Sequence, residues 1–203
     1  MGHQLHRGDL PEGIDFGPVV AVDTEAMGLN PYRDRLCLVQ LSAGDGKAHL
    51  VQLSQGGYAA PRLKRLLADP ATTKLFHFAR FDLAMLYRYL GVMAAPIYCT
   101  KIASRLARTF TDRHGLRDLC KDLLGIELAK EQQSSDWGAP ELSEMQLHYA
   151  AADVLHLHAL RDRLDAILIR EGRIELARAC FGFLPDRVRL DLGGWAEQDI
   201  FAH

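Results

Sequence analysis

The stretch that decides the fold is PVVAVDTEA, residues 18–26. It is apolar at nearly every position up to Val22, as in a strand that is covered on both faces. Because side chains alternate along a strand, Asp23 and Glu25 continue the row that begins with Val19 and Ala21. Two acids in an apolar row mark either a strand end that reaches solvent or a functional site at the rim of the core.

The segments that follow predict an α/β domain with a mixed five-stranded sheet flanked by helices. Two more strand patterns, RLCLVQLSA (35–43) and KAHLVQL (47–53), are separated by Gly-Asp-Gly and predict an antiparallel meander. The later predicted elements are a helix over 59–68, a strand over 73–78, a helix over 79–90, a strand over 96–99 and helices from 100 onward. Strands followed by a β-α-β unit and then helices indicate a mixed sheet rather than an alternating dinucleotide-binding fold.

Length and composition favour one globular domain. The chain has 203 residues, of which 48% are hydrophobic and 25% charged. The first fifteen residues have no apolar core of a secretory signal, and we expect a loose arm there. No apolar run is long enough to span a membrane. The cysteines lie far apart, which favours reduced thiols in a cytoplasmic protein.

The net charge of −2 excludes a protein that grips long nucleic acid mainly by bulk positive charge. A short nucleic-acid ligand in a local site remains compatible with it, because such a ligand needs few phosphate contacts.

A third acid lies on the buried side of a predicted helix. Ser143 and Gln146 form a capping-box pattern that fixes where this helix begins. We expect one continuous helix with a stripe made of Tyr149, Asp153, Leu157, Leu160, Leu164 and Ile167. An unpaired buried carboxylate would cost several kcal/mol, so Asp153 needs a cation, hydrogen-bond donors or a proton.

Asp82 lies on the same side of the 79–90 helix as Met85, Leu86 and Tyr89. An acid in the first turn of a helix also has a structural explanation, because it interacts favourably with the helix dipole.

Taken together, Asp23, Glu25, Asp82 and Asp153 end apolar stripes on three elements and would converge at the rim of a shared core. Four such charges repel one another unless cations lie between them. Ligands that are all oxygen suit Mg²⁺ or Mn²⁺, whereas a zinc site would need Cys or His. Two such cations, one generating hydroxide and one stabilising the leaving 3′ oxygen, are a common device for phosphodiester hydrolysis.

The motifs VDTE, HFARFD and YAAAD, in this order, resemble the three motifs of the DEDD exonucleases. The tyrosine four residues before the last aspartate is typical of the DEDDy branch. The stretch SSDWGAPELSEMQLHYAAADV resembles the ribonuclease D-like family, and the compact length, the 21–42 segment and the 183–203 tail resemble its nanoRNase C group, which is oligoribonuclease-like. The resemblance covers about 19–164. Ribonuclease D carries helical HRDC domains after this region, and we expect none here.

The resemblance implies an RNase H-like fold and 3′→5′ hydrolysis of short oligoribonucleotides, down to dinucleotides, to 5′-mononucleotides. It implies that Asp23 contacts both metals, Glu25 and Asp153 the metal beside the nucleophile, and Asp82 the second metal. Tyr149 would hold the attacking water, acting as a positioning group rather than a strong base because its ordinary pKa is about 10. The predicted substrate contacts are Thr24, Met27, Gly28, Leu29, His77 and Arg80.

In this scheme, Met27 and Gly28 supply backbone donors, Leu29 is a wedge between the last two bases, and His77 and Arg80 meet phosphate. Core packing explains Leu29 equally well, and a strand-end position explains His77.

Residues 101–121 carry a local excess of four positive charges, from Lys101, Arg105, Arg108, Arg113, Arg117 and Lys121 against Asp112 and Asp118. Such a run is either a solvated face or a substrate contact. Trp137 either covers the core or stacks on a base.

The resemblance also implies a symmetric homo-oligomer, an octamer. The apolar tail at 181–203 would then lie at a subunit interface, although packing on its own core is equally consistent. The functional alternatives are a 3′→5′ exodeoxyribonuclease, a catalytically silent nucleic-acid-binding module on the same fold, and a structural carboxylate cluster without substrate.

Overall fold

A computed structural model describes residues 2–129 and 135–202 of the chain. The strands are β1 (Gly2–Arg7), β2 (Val19–Ala26), β3 (Leu36–Ser42), β4 (Lys47–Gln52), β5 (Thr73–Phe76) and β6 (Ile97–Cys99). The helices are α1 (Pro61–Ala68), α2 (Ala79–Leu90), α3 (Thr100–Ala107), α4 (Leu116–Leu119), α5 (Glu144–Leu155), α6 (Leu157–Arg170) and α7 (Ile174–Leu190). Two π-helical turns follow α4 and α7, at Cys120–Leu124 and Asp191–Trp195.

The strands form one mixed sheet in the order β1-β4-β3-β2-β5-β6. The antiparallel meander β2-β3-β4 has the predicted pairing, with Asp23 opposite Gln40. On the other side of β2, strands β5 and β6 add in parallel. β2 is therefore central, and Val20, Ala21 and Val22 are fully buried. The predicted α/β class and mixed sheet are confirmed.

The sheet has six strands instead of the predicted five, because residues 2–7 form β1. The prediction of a loose arm over 1–15 is wrong for this segment. β1 lies parallel to β4 at the sheet edge, with Leu5 beside Leu50. The pairing partner lies far along the chain, so the short polar segment carries no local sign of it.

The helix that begins after Ser143 is interrupted at His156, so the predicted continuous stripe is divided between α5 and α6. α5 packs against β2, β3 and β4, whereas α6 packs against α3. The two halves share one helical repeat, but they pack against different elements, and this tertiary packing interrupts the helix between them. The capping box of Ser143 and Gln146 is present as predicted, and Asp153 lies on α5 before the break.

The turn between β5 and α2 orients the first turn of α2. Phe78 has φ 64°, a left-handed conformation that is uncommon for a bulky side chain. It changes the chain direction between the sheet and the helix, and Gly91 ends α2 with φ 70°. Asp82, in the first turn of α2, thereby lies beside the end of β2.

The structure also shows how deeply the predicted core tryptophan and the cysteines are buried. Trp137 is buried and covers core, while Cys37, Cys99 and Cys120 are buried thiols and Cys180 is half-buried. Within the part of the chain that the structure describes, no helix has both the length and the apolar character needed to cross a membrane.

Candidate active site

Three of the four predicted metal ligands form a compact carboxylate group. One oxygen from each of Asp23, Glu25 and Asp153 lies within 4.8 Å of those of the other two. The first two come from the end of β2 and the third from α5, which crosses β2. Carboxylate oxygens at this separation, without nitrogen or sulfur donors among them, fit a hard divalent cation such as Mg²⁺ or Mn²⁺.

Asp82 borders the same cleft and is almost fully buried. Its Oδ1 accepts a hydrogen bond of 2.6 Å from the Thr24 hydroxyl. The Thr24 side chain, predicted to contact substrate, is thus used to hold Asp82. Asp23 accepts a hydrogen bond of 3.3 Å from the Gln40 side-chain amide on β3.

The acids are protonated more easily than ordinary carboxyl groups. Burial raises the pKa of Asp23 to about 7. Burial and the charges of Asp23, Asp153 and Asp82 together raise the pKa of Glu25 to about 10. The pKa values of Asp82 and Asp153 are raised by burial and by the charge of Asp23. This mutual repulsion is what a bound cation would relieve.

Tyr149 lies one helical turn before Asp153, so the two side chains share one face of α5. Burial, followed by the nearby charges of Asp153, Glu25 and Asp23, raises the pKa of Tyr149 well above 10. The phenol therefore stays protonated at neutral pH and cannot act as a strong base. Its ring lies against Trp137, with 6.2 Å between the centroids.

The cleft around these groups has a volume of about 1250 Å³, and Met27, Gly28, Leu29 and His77 line it as well. Leu29 is 83% exposed, so it is not the core leucine that the sequence allowed. Gly28 passes so close to Asp34 that an added Cβ would lie 2.3 Å from its Oδ2. A glycine at this position lets the backbone that carries Leu29 run against the Asp34 side chain.

Arg80 does not line the cleft, contrary to the predicted phosphate contact. Its Nη2 donates to Asp191 Oδ1 at 2.7 Å, and its Nε donates to the other oxygen of the same carboxylate. In this structure the guanidinium holds the chain after α7 against α2, so its charge is already paired.

Several cleft residues were not among the predicted site residues. Phe78, at the strained turn, is 47% exposed, and the Lys101 ammonium lies 4.1 Å from the centre of its ring. Gln40 reaches Asp23 from β3. Gln40 is buried behind the cleft, and the sequence could have identified it as the one polar residue in the apolar run 36–41, whereas the left-handed Phe78 turn has no sequence signal.

The basic run at 101–121 is divided between the cleft and the body of the protein. Lys101, Arg113, Arg117 and Lys121 line the cleft, where Arg113 pairs with Asp118 and Lys121 with Glu127. Arg108 is buried and forms an ion pair with Asp122 at 2.5 Å. One part of the run is thus structural, and the other gives the cleft a basic wall.

Comparison with known proteins identifies the family of this chain. A family model described as 3′-5′ exonuclease matches residues 10–169. The chain belongs to this 3′-5′ exonuclease family. Ribonuclease D of Gluconacetobacter diazotrophicus is 38% identical over 169 residues, which are 83% of this chain and 42% of that protein. The predicted resemblance to the ribonuclease D-like family is thereby confirmed. The chain thus spans about two fifths of the length of this curated relative.

Two solved structures of NrnC from Brucella melitensis match over the whole chain. The structure bound to pGG has a TM-score of 0.97 and 55% identity, covering 100% of this chain and 99% of that one. The structure with bound Mg²⁺ has a TM-score of 0.95 and 54% identity, covering 100% of both chains. These likenesses confirm the predicted similarity to the nanoRNase C group.

Proposed function

We propose that this protein is a metal-dependent 3′→5′ exonuclease that hydrolyses short oligoribonucleotides, down to dinucleotides, to 5′-mononucleotides. The observation that carries the proposal is the convergence of Asp23, Glu25, Asp82, Tyr149 and Asp153 on one cleft from β2, α2 and α5. The binding of pGG by NrnC supports the choice of a very short substrate.

Asp23, Glu25, Asp82 and Asp153 would hold two divalent cations, Mg²⁺ or Mn²⁺. The first support is the close group of oxygen ligands described above, and the second is the raised pKa of each acid. The Mg²⁺ bound by NrnC is a third. When bound, such ions supply Lewis-acid chemistry, which lowers the pKa of water and stabilises a leaving oxygen.

Tyr149 would position the attacking water. Tyr149 lines the cleft on the same face of α5 as Asp153, and the lone pairs of its phenol oxygen can accept a hydrogen bond from water. Because the pKa of Tyr149 is raised, the phenol contributes orientation rather than proton abstraction. The neighbouring ring of Trp137 restricts the orientation of the Tyr149 ring.

Leu29 would contact the bases of the substrate, and basic residues of the cleft would contact its phosphates. Leu29 is largely exposed on the cleft rim, where an apolar side chain can insert between the last two bases. Lys101 and Arg117 also line the cleft and form no ion pair among the described residues, so they would attract phosphate. A ligand of two nucleotides needs only a few such contacts, which is consistent with the net charge of −2.

The C-terminal segment supports a homo-oligomer, and by resemblance an octamer. Phe181 and Leu184 are buried in the chain's own core. Trp195, Ile200 and Phe201 are 46%, 45% and 65% exposed, which is costly for large apolar side chains on a monomer. Light scattering tests this point, and a particle of 22.7 kDa would contradict it.

The test of the enzymatic proposal is a set of time courses on labelled RNA of two, seven and twenty nucleotides and on duplex DNA. Each substrate is incubated with Mg²⁺, with Mn²⁺ and with a chelator. We expect Asp23→Ala to abolish turnover while the circular dichroism spectrum stays unchanged. Asp162→Ala, at an acid of α6 outside the cleft, is the matched control. Full activity of Asp23→Ala, or activity in the chelator, would refute the assignment, and faster hydrolysis of duplex DNA would favour the exodeoxyribonuclease alternative.

A further inference from the structure

His77 ends a short chain of hydrogen bonds that begins in the sheet. The Thr100 hydroxyl lies 3.2 Å from the Phe76 carbonyl oxygen and 2.9 Å from Nδ1 of His77. A hydroxyl carries one proton, so it donates to only one of these atoms. A single assignment makes both contacts hydrogen bonds: Thr100 donates to Phe76, and Nδ1–H of His77 donates to the Thr100 oxygen.

This assignment leaves Nε2 of His77 with a lone pair and no proton. Burial, followed by the charge of Lys101, lowers the pKa of His77 to about 3, so the ring is neutral at physiological pH. His77 lines the cleft together with Asp82. Within the described residues, Nε2 has no hydrogen-bond partner and is not sealed from solvent. His77 therefore presents a hydrogen-bond acceptor to the cleft.

An acceptor at this position selects a donor in the substrate. Phosphodiester oxygens carry no proton at neutral pH, so they do not pair with the lone pair of Nε2. The phosphate contact predicted for His77 is accordingly disfavoured by the proton arrangement. The ribose 2′-hydroxyl is the donor that RNA has and DNA lacks.

We propose that Nε2 of His77 accepts a hydrogen bond from a ribose 2′-hydroxyl of the substrate and thereby favours RNA over DNA. The proposal rests on the exonuclease function proposed above. A site built to pair with a hydroxyl rejects the analogue without it, because the acceptor is then left without a partner. Nucleobase donors differ among the four bases, whereas every ribonucleotide presents the same 2′-hydroxyl, so this contact is independent of sequence.

The experiment compares kcat/KM for four dinucleotides of one base sequence: all-ribo, all-deoxy, and the two chimeras with a single 2′-deoxy sugar. The proteins are the wild type, His77→Leu, His77→Gln, Thr100→Val and the control His3→Leu on β1. The wild-type protein alone shows whether a 2′-hydroxyl is recognised, and the variants assign that recognition to His77.

We expect the wild type to lose about tenfold in kcat/KM when one of the two 2′-hydroxyls is removed, the size of one net hydrogen bond. His77→Leu should bring this ratio close to one, because the acceptor is gone. His77→Gln should restore part of it, since its side-chain oxygen can reach the same position. Thr100→Val should reduce it, because the tautomer of His77 is no longer fixed. His3→Leu should keep the wild-type ratio.

Equal rates of the wild type on all four substrates would overturn the proposal. So would a ribo-to-deoxy ratio that stays at the wild-type value in His77→Leu, whether or not kcat/KM itself falls in that variant. In each of these cases the protein still hydrolyses dinucleotides, so the exonuclease function stands. If the wild type hydrolyses none of them in Mg²⁺ or Mn²⁺, the exonuclease function itself is wrong.

Discussion

Substitution of Arg80 tests whether this arginine contacts the substrate or stabilises the fold. The sequence places this arginine two residues before Asp82, where it could meet phosphate, but the folded chain pairs it with Asp191. Asp191 is mostly buried and also lies 2.8 Å from Arg187. Arg80 thus provides one of two guanidinium partners for a carboxylate that lies 111 residues away.

The size of the effect follows from this geometry. A hydrogen bond to a charged group contributes about 1.5–3 kcal/mol, and the Arg80 guanidinium makes two such bonds to the Asp191 carboxylate. The Arg80 side chain is 41% exposed and Asp191 keeps Arg187, so solvent and the second partner reduce the loss. We expect Arg80→Ala to lower the free energy of unfolding by about 1.5 kcal/mol, which for a chain of this length lowers Tm by about 3–6 °C.

The assay pairs thermal unfolding with kcat/KM on a dinucleotide. Arg80→Lys keeps the charge but loses the planar fork, so it should recover only part of the lost stability. Arg178→Ala removes an exposed pair with Glu175 and should change Tm by about 1 °C or less. An unchanged Tm combined with a KM that rises in Arg80→Ala would refute the structural role and restore the phosphate contact.

Three further predictions concern the cleft. Tyr149→Phe should reduce kcat by about 100-fold with Mn²⁺ affinity unchanged in calorimetry, because it removes a group that orients water; a collapse of metal affinity would contradict this role. For His77, the folded-state pKa of about 3 lies below the ordinary 6.5, so the unfolded chain binds a proton first as the pH falls. Urea titrations should therefore show a loss of about 2.5 kcal/mol between pH 7 and 4.5 that His77→Leu lacks, and parallel curves for the two proteins would disprove it. Gly28→Ala should raise KM about tenfold with kcat little changed, because the added Cβ displaces the Asp34 side chain. Asp34 holds this loop, since its Oδ2 accepts a hydrogen bond of 3.0 Å from the Asn30 amide. A tenfold fall in kcat would indicate a disturbed metal site instead.

Much of the site could be predicted, because the position of each acid follows from the side-chain repeat of the strand or helix that carries it. The alternation along β2 places Asp23 and Glu25 in one row, and the capping box at Ser143 fixes the phase of α5, which determines where Asp153 lies. These are local properties, and local sequence determines them.

The features that the sequence did not predict all depend on partners distant along the chain. β1 forms because β4 offers an edge, and Arg80 turns from the cleft because Asp191 comes to lie beside it. The Thr24 hydroxyl likewise binds Asp82, a partner that lies 58 residues away in the sequence. A polar residue that can bind a ligand can equally bind a distant part of its own chain, and sequence alone does not distinguish the two.

The partners of the four acids indicate where their compensating charge comes from. A buried carboxylate that serves only structure is normally paired with Lys or Arg. Among the described residues, none of the four forms an ion pair; Asp82 has the Thr24 hydroxyl and Asp23 the Gln40 amide, both of them neutral. The basic groups that line the cleft pair instead with other acids, Arg113 with Asp118 and Lys121 with Glu127. The protein therefore orients these acids with neutral donors and leaves their negative charge to be balanced from outside the chain, which a structural carboxylate cluster would not require.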